Sequence, residues 1–454
     1  MLAEASGHEQ AGRFGPAEEI LARVLAAEPD HPHANHLQGI VAYRLGRIAE
    51  ARARMERSIA LAPEVALYPR NLCEVYRAAG LYDEALATGR RAVELAPEDP
   101  LALTNLGIIH ASRLELDAAL ATADRALALN PEQANAHFLR AETLLLTGDF
   151  AAGWEEYEWR HKLASTPRLL PETERPHWDG RPLPEGTLLL IADQGFGDVI
   201  QFARYIPWAA ERARDIVVAS SAEMRPILAQ FPAVRRIFDR WEECGDFAAY
   251  CPLSGLPRLA TTRLESIPAP IPYLRADPAL AATGRTRLAD LLPPGYRRVG
   301  LAWAGRASHN NDRYRSTRLA RLGALGEIPG IALVSLQKGE AAAEVGAYLG
   351  AAPLLSLGPE LKNFADTMAV LENLDLLITV DTAVGHLAGA MGRPAWLMLA
   401  YAPDWRWQLG RAETPWYPGM RLFRQNAGRA WETLAGDIAR ALAARFPDAT
   451  RNPA

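Results

Sequence analysis

A carboxylate inside a glycine turn is the first feature of this chain with the makings of chemistry. Asp198 follows Gly195-Phe196-Gly197, and that turn follows the apolar run Thr187-Leu188-Leu189-Leu190-Ile191-Ala192. A strand that runs through such a turn into a helix brings backbone amides to the helix N-terminus. Asp198 can accept a proton from a hydroxyl there, or cap the helix it starts, since Asp is among the preferred N-cap residues. One residue can do both. A second turn of this kind follows Leu376-Leu377-Ile378-Thr379-Val380. Asp381, Thr382, Ala383, Gly385 and His386 open a helix whose first-turn amides and positive dipole end suit a phosphate, with His386 placed to reach the same anion. The structural alternatives are a strand-end cap for Asp381 and a core histidine bonded to a carbonyl for His386.

Lysine usage adds a third candidate. The chain has three lysines, Lys162, Lys338 and Lys362, against 46 arginines. Lys338, beside Gly339 at the end of the strand candidate 331–336, offers a compact ammonium that suits phosphate as a point charge, with chance retention on the surface as the alternative. Its neighbour Gln337 is a candidate partner for a nucleotide base or ribose. Arg306, with His309, Asn310, Asn311 and Arg313 after it, lies on a polar loop behind the strand candidate 299–303. It suits an anionic ligand, or it is ordinary solvated surface in so arginine-rich a chain. Lys162 and Lys362 read as solvent residues, and Trp405, Arg406 and Trp407 as a packed wall.

Elements long enough to position these residues are present in quantity. At 454 residues the chain exceeds what one core usually serves, which predicts two or three domains. Its 49% hydrophobic and 23% charged residues are those of a globular protein, and a net charge of -5 without a basic block argues against nucleic acid as a partner. Three cysteines, Cys73, Cys244 and Cys251, lack the spacing of a disulfide frame or zinc site and fit a cytoplasmic protein. No signal-peptide pattern and no stretch of about 18 apolar residues occurs, so neither export nor a membrane span is expected.

A repeat dominates the N-terminal third. Pro29, Pro63, Pro97 and Pro131 fall 34 residues apart. In the same period, small residues recur at Ala17, Ala51, Ala85, Ala119 and Gly153, and at Gly39, Cys73, Gly107 and Ala141, where paired helices must approach closely. Gly12, Gly46, Gly80, Leu114 and Gly148 mark the turns, and Leu114 is the one departure from the residue that most readily takes a left-handed C-cap. This pattern resembles the tetratricopeptide repeat (TPR) over about 12–163. Such arrays stack into a superhelix whose concave face is available to a peptide or protein, the alternatives being a shield for the next domain or self-association.

Prolines at 171, 176, 182 and 184 end the helical pattern. Strand candidates follow at 187–192, 216–219, 299–303, 331–336, 376–380 and 395–399, in βα rhythm, with a proline-rich break at 267–272 dividing two parallel-sheet lobes. A ligand crevice is expected between them, at the carboxyl ends of their strands. The segments 195–202, 301–306, 335–339 and 381–387, completed by Pro403-Asp404-Trp405-Arg406-Trp407 and Trp416-Tyr417-Pro418, together resemble the lipopolysaccharide heptosyltransferases, in the TPR-fused branch that includes flagellin-modifying protein glycosyltransferases.

The resemblance implies a fold of class α plus α/β: a TPR solenoid over 1–165, a proline-rich linker over 166–186, and a GT-B pair of Rossmann-like lobes. The acceptor lobe would span 187–278 and the nucleotide-sugar lobe 279–454, with a C-terminal helix at 431–446 crossing back. It also implies an inverting glycosyltransferase that needs no metal and no cofactor beyond its nucleotide-sugar donor, of which CMP and UDP sugars are the leading candidates. Asp198 takes the role of base, and Gly197, Arg306, Gln337, Lys338, Asp381, Thr382, Ala383, Gly385 and His386 the donor side. Ala383 stands where glycine is common in the family. A Ser or Thr of a protein on the TPR concave face is the expected acceptor, with flagellin and a nonulosonic acid such as pseudaminic acid as candidates by family analogy. Two other readings remain: a non-catalytic TPR scaffold with a degenerate GT-B domain, and a glycolipid or polysaccharide glycosyltransferase.

Overall fold

The structure is a computed structural model and describes residues 1–164, 170–268, 270–307 and 311–447. Two compact units make it up: Met1–Leu144 with Glu155–Thr166, and Leu145–Trp154 with Pro167–Ala454. The first unit ends at 166, beside the expected end of the array at 165, but Leu145–Trp154 of the last repeat belongs to the second unit.

The first unit is helical. Its helices run Leu2–Gln10, Phe14–Ala27, Pro32–Arg44, Ile48–Leu61, Leu67–Ala78, Tyr82–Leu95, Pro100–Ser112 and Leu116–Leu129, followed by the start of Ala134–Thr147. The small-residue positions are where the helices of a pair meet. A Cβ on Gly39 would lie 2.6 Å from Met55 Cγ of its paired helix, and one on Gly107 would lie 3.0 Å from Thr122 Oγ1 of its pair and 2.6 Å from Leu139 Cδ2 of the next repeat. The turn positions are left-handed, with φ of 71° at Gly12, 76° at Gly46, 77° at Gly80 and 61° at Leu114. Leu114 thus adopts the glycine conformation without being glycine. Proline at the first helical position, as at Pro32 and Pro100, costs no hydrogen bond because that N–H has no partner in the helix.

The second unit holds two sheets. Strands β1 (Leu183–Ile191), β2 (Ala213–Ala219), β3 (Val234–Phe238) and β4 (Ala249–Pro252) form the first, all parallel, in the order β3-β2-β1-β4. The second comprises β5 (Arg297–Ala302), β6 (Ile331–Ser335), β7 (Leu354–Ser356), β8 (Leu376–Val380), β9 (Ala395–Leu399), β10 (Glu413–Thr414) and β11 (Tyr417–Arg424). Its order is β10-β11-β9-β8-β5-β6-β7, parallel except for the β10-β11 pair. β5, β6, β8 and β9 are apolar runs because parallel central strands are covered on both faces. The chain is therefore a helical repeat array followed by an α/β region.

The helix Trp431–Arg445 departs from expectation. Trp431, Leu434, Ala435, Ile438 and Leu442 are buried in the same core as Val299, Leu301, Ile378 and Trp396 of the second sheet. Its apolar stripe is used on the sheet that precedes it, so it does not cross back to the other lobe. Contact between the two sheets' lobes comes instead from Phe196–Phe202, which packs on Ala383–Ala390.

The aromatic residues of Leu145–Trp154 also belong to this unit. Phe150 and Trp154 are buried, with Trp154 5.2 Å from Trp405 and 6.4 Å from Phe202 by ring centroids, and Phe150 6.1 Å from Trp416. The Trp154 indole N–H donates to the Thr262 carbonyl at 3.1 Å.

Candidate functional site

Strand order explains why residues far apart in sequence meet. β9, β8, β5 and β6 are neighbours, so the segments leaving their carboxyl ends lie side by side: Asp404 to Arg406 beyond β9, Asp381 to His386 after β8, Trp303 to Arg306 after β5, and Gln337 and Lys338 after β6. This edge of a parallel sheet is where α/β proteins hold ligands. The first sheet contributes the turn after β1, with Gly197 and Asp198.

At the centre is a charged cluster that links the lobes. Arg406 donates from Nη2 to Asp198 Oδ1, from Nε to Gln201 Oε1 at 2.5 Å, and from Nη1 to Asp404 Oδ1 at 2.8 Å. Its guanidinium also lies 4.6 Å from the Trp405 ring centroid. Trp405 and Trp407 are the expected wall, but Arg406 between them is directed across the lobes. The N-cap of that helix is Gly195, so Asp198 lies within the first turn and does not cap it, and its Oδ1 accepts from Arg406.

His386 forms the second half of the cluster. Its Nδ1 is 2.8 Å from the Tyr417 hydroxyl, and its Nε2 is 3.6 Å from Asp381 Oδ1, a charge contact longer than a hydrogen bond. Burial works against the charged form of Asp381. The contact with His386, reinforced by Arg315 and Arg406, outweighs it and holds the carboxyl well below the usual carboxylate range. Tyr417 is pushed well above its ordinary value, chiefly by burial. The alternative of a carbonyl-bonded core histidine does not describe His386, which is held between a phenol and a carboxylate.

Gly197 and Gly385 are explained by packing. A Cβ on Gly197 would lie 2.8 Å from His386 Cδ2, so only glycine lets this turn meet that ring. One on Gly385 would approach Leu397 Cδ1 and Thr379 Cγ2 at 3.2 Å, where the helix rests on its sheet. Thr382 is the N-cap of Ala383–Ala390, and its hydroxyl is 3.1 Å from that of Thr379. Thr382 and Ala383 are half-buried, with the first-turn amides of the helix beside them.

Gln337 is buried and fully engaged. Its Oε1 accepts from the amides of Trp303 and Ala304, both at 2.9 Å, and its Nε2 donates to the carbonyls of Ala304 and Lys338, both at 2.9 Å. These four bonds use the whole capacity of an amide, so Gln337 shapes the loops and has none left for a base or ribose. Lys338 is exposed and donates from Nζ to the Leu361 carbonyl. Arg306 is exposed, 5.3 Å from the Phe196 ring centroid, and Phe196 is 5.4 Å from Phe364. His309 and Asn310 lie outside the described residues.

Sequence reasoning missed Gln201, Arg204, Arg315 and Tyr417, and gave Arg406 only a packing role. Arg204 is 3% exposed, donates to the carbonyls of Gln201 at 2.9 Å and Trp416 at 2.8 Å, and lies 4.8 Å from the Tyr417 ring centroid. Among the described residues no carboxylate pairs with it. The only available signal was an arginine within a helix otherwise apolar in its inward positions.

The expected crevice is a packed contact along the line from Phe196 to Asp198. Two cavities lie away from that line. One of about 310 Å³ is lined by Ile206, Pro207, Phe231 and Pro232 of the first lobe, and one of about 460 Å³ opens at the start of β5 and β8. Among the described residues no three His, Cys, Asp or Glu side chains gather as a metal site, and no helix is long and apolar enough to cross a membrane.

Known proteins resemble each part of the chain. Residues 2–64, 36–100 and 102–158 match the tetratricopeptide repeat family, and residues 330–408 match glycosyltransferase family 9 (heptosyltransferase). The chain joins tetratricopeptide repeats to a glycosyltransferase family 9 domain. Of the candidate residues, Gln337, Lys338, Asp381, Thr382, Ala383, Gly385, His386 and Arg406 fall within the family 9 match, and Gly197, Asp198 and Arg306 outside it. The protein FlbA of Caulobacter vibrioides is 31% identical over 343 residues, which is 68% of this chain and 55% of FlbA. The chain thus spans about half the length of that relative. Among solved structures, a TPR protein of Thermus thermophilus, TTC0263, aligns with TM-score 0.33 and 22% identity over 36% of this chain and 89% of its own. MamA of Desulfovibrio magneticus aligns with TM-score 0.32 and 20% identity over 36% of this chain and 94% of its own.

Proposed function

We propose that the family 9 domain is an inverting, metal-independent glycosyltransferase that uses a nucleotide-sugar donor, and that the repeats hold a protein whose Ser or Thr is the acceptor. The observation that supports it most is the meeting of Asp198 with Arg406, His386 and Asp381 at the carboxyl edges of two parallel sheets. In the step envisaged, the acceptor oxygen attacks the anomeric carbon and its proton passes to Asp198. The bond from that carbon to the phosphate oxygen breaks, and the nucleotide phosphate leaves with the electron pair. The amides of Ala383–Ala390 at its start, with Thr382 and the exposed Lys338 and Arg306, take up the developing negative charge. Arg406 holds Asp198 in place until donor and acceptor enter, which requires the contact at Gly197 to open. A CMP or UDP sugar as donor, a nonulosonic acid as the sugar and flagellin as the acceptor extend the same reading.

The closed contact at Gly197 is also what a repeat scaffold with an inactive transferase domain would show, and nucleotide binding separates the two. A thermal-shift screen with CMP, UDP, GDP and ADP is expected to raise the melting midpoint for one of them; no response to any favours the scaffold. Asp198→Asn is expected to reduce transfer by at least about a hundredfold while nucleotide binding persists. Undiminished turnover removes Asp198 from the mechanism. EDTA is expected to leave the rate unchanged, and a strict metal requirement contradicts the proposal.

A further inference from the structure

We infer a second anion site, at the amino edge of the second sheet and away from the Asp381 turn. β8 runs from Leu376 to Val380, so Asp381 marks its carboxyl end and Asp375 precedes its amino end. Around that amino end lies the cavity of about 460 Å³ lined by Arg285, Arg297, Arg298, Arg393, Glu372 and Asp375, among others. That is the volume range of small-molecule sites. The arginines come from three separate places in the fold: the helix Pro278–Leu291, the start of β5, and the turn before β9. Arginines gathered from unconnected segments into one concavity are not explained by the chain's general preference for Arg over Lys.

Charge accounting identifies the ligand class. Arg297 Nη1 is 3.5 Å from Asp375 Oδ1, and Arg393 Nη1 is 3.3 Å from Glu372 Oε1, so both carboxylates are spoken for. Arg285 meets only the neutral Asn373, from Nε to Oδ1 at 3.3 Å. Among the described residues, neither Arg285 nor Arg298 has a carboxylate within ion-pair distance. Four guanidinium groups against two carboxylates leave an excess of two positive charges in the cavity. Arg393 also keeps a buried Nε without a partner. A dianion matches the excess, and planar guanidinium forks match the oxygens of phosphate. The cavity is therefore assigned to the phosphate group of a small molecule, either free phosphate or a phosphate monoester.

The test is isothermal titration of the full chain with inorganic phosphate and, separately, with glucose 6-phosphate. Binding of at least one of them is expected, weakening as salt rises. The double variant Arg285→Ala with Arg298→Ala, which leaves the two internal ion pairs intact, is expected to weaken it at least about tenfold. Single variants Lys338→Ala and Arg306→Ala, at the opposite edge of the sheet, are expected to retain it. Tighter binding of the ester marks a phosphorylated metabolite as the ligand, and equal or tighter binding of inorganic phosphate marks the free ion. The inference is overturned if neither probe binds, if the double variant binds as the parent chain does, or if Lys338→Ala or Arg306→Ala abolishes binding.

Discussion

Arg406 reaches Asp198 across 208 positions of sequence, and that single interaction reorganises the view of the site. Asp198 was legible as a base or a cap because both readings depend only on its neighbours. Its partner was not, because nothing local to Pro403-Asp404-Trp405-Arg406-Trp407 says which way an arginine between two buried tryptophans points. Gln337 illustrates the converse. A glutamine beside a strand end looks like a ligand residue until its four bonds to backbone are seen. If Arg406 positions the base, Arg406→Lys, which keeps the charge but loses the fork that spans Asp198, Gln201 and Asp404, is expected to lower kcat at least about tenfold. It should also shift the acidic limb of the pH-rate profile while leaving KM for the nucleotide donor near its original value. An unchanged pH profile would leave Arg406 with packing alone.

At the scale of elements, helices and fully buried strands were readable, and strands with an exposed face were not. The runs 376–380 and 395–399 coincide with β8 and β9 because continuous burial leaves a continuous apolar text. β3, Val-Arg-Arg-Ile-Phe with its two arginines exposed, and β11, which carries Pro418 and Gly419, lack that text because one side of each faces solvent. The repeat was readable because each copy must solve the same close approach, as Gly39 against Met55 and Gly107 against Thr122 show. Two expectations belong here. Leu114→Gly, at φ 61°, is expected to stabilise the array by about 0.5–1 kcal/mol, measured by urea unfolding. His36 is pushed down to about 3, first by burial and then by His33 and Arg70, while its Nε2 meets Asn71 Nδ2 at 3.0 Å and its ring lies 4.8 Å from that of Tyr68. It stays neutral in the folded array but takes up a proton when unfolded below about pH 6.5. Stability should therefore be full above that value and decline, by a few kcal/mol at most, as pH falls toward about 3, with His36→Asn flattening the decline.

For the molecule as a whole, the joint is where reading by composition and reading by contact diverge. The prolines at 171–184 mark where helix periodicity stops, yet Phe150 and Trp154 already belong with Trp405, Trp416 and Phe202. A chain beginning at 145 is expected to bind nucleotide as the full chain does and to fail at protein modification. One beginning at 170 is expected to be less stable by several kcal/mol in urea, since removing buried Trp and Phe side chains costs about 3–5 kcal/mol each. Protein modification by the chain beginning at 145 would reassign the repeats.

That arrangement restricts how such a protein can be recombined. A crossover placed in the proline-rich stretch, the natural choice for anyone trading one repeat array for another, would sever two rings from the tryptophans they cover and leave a greasy wound on the family 9 domain. New arrays, whether from gene shuffling or from the bench, have to be spliced upstream of residue 145, with the helix Phe150–Tyr157 inherited along with the domain it covers.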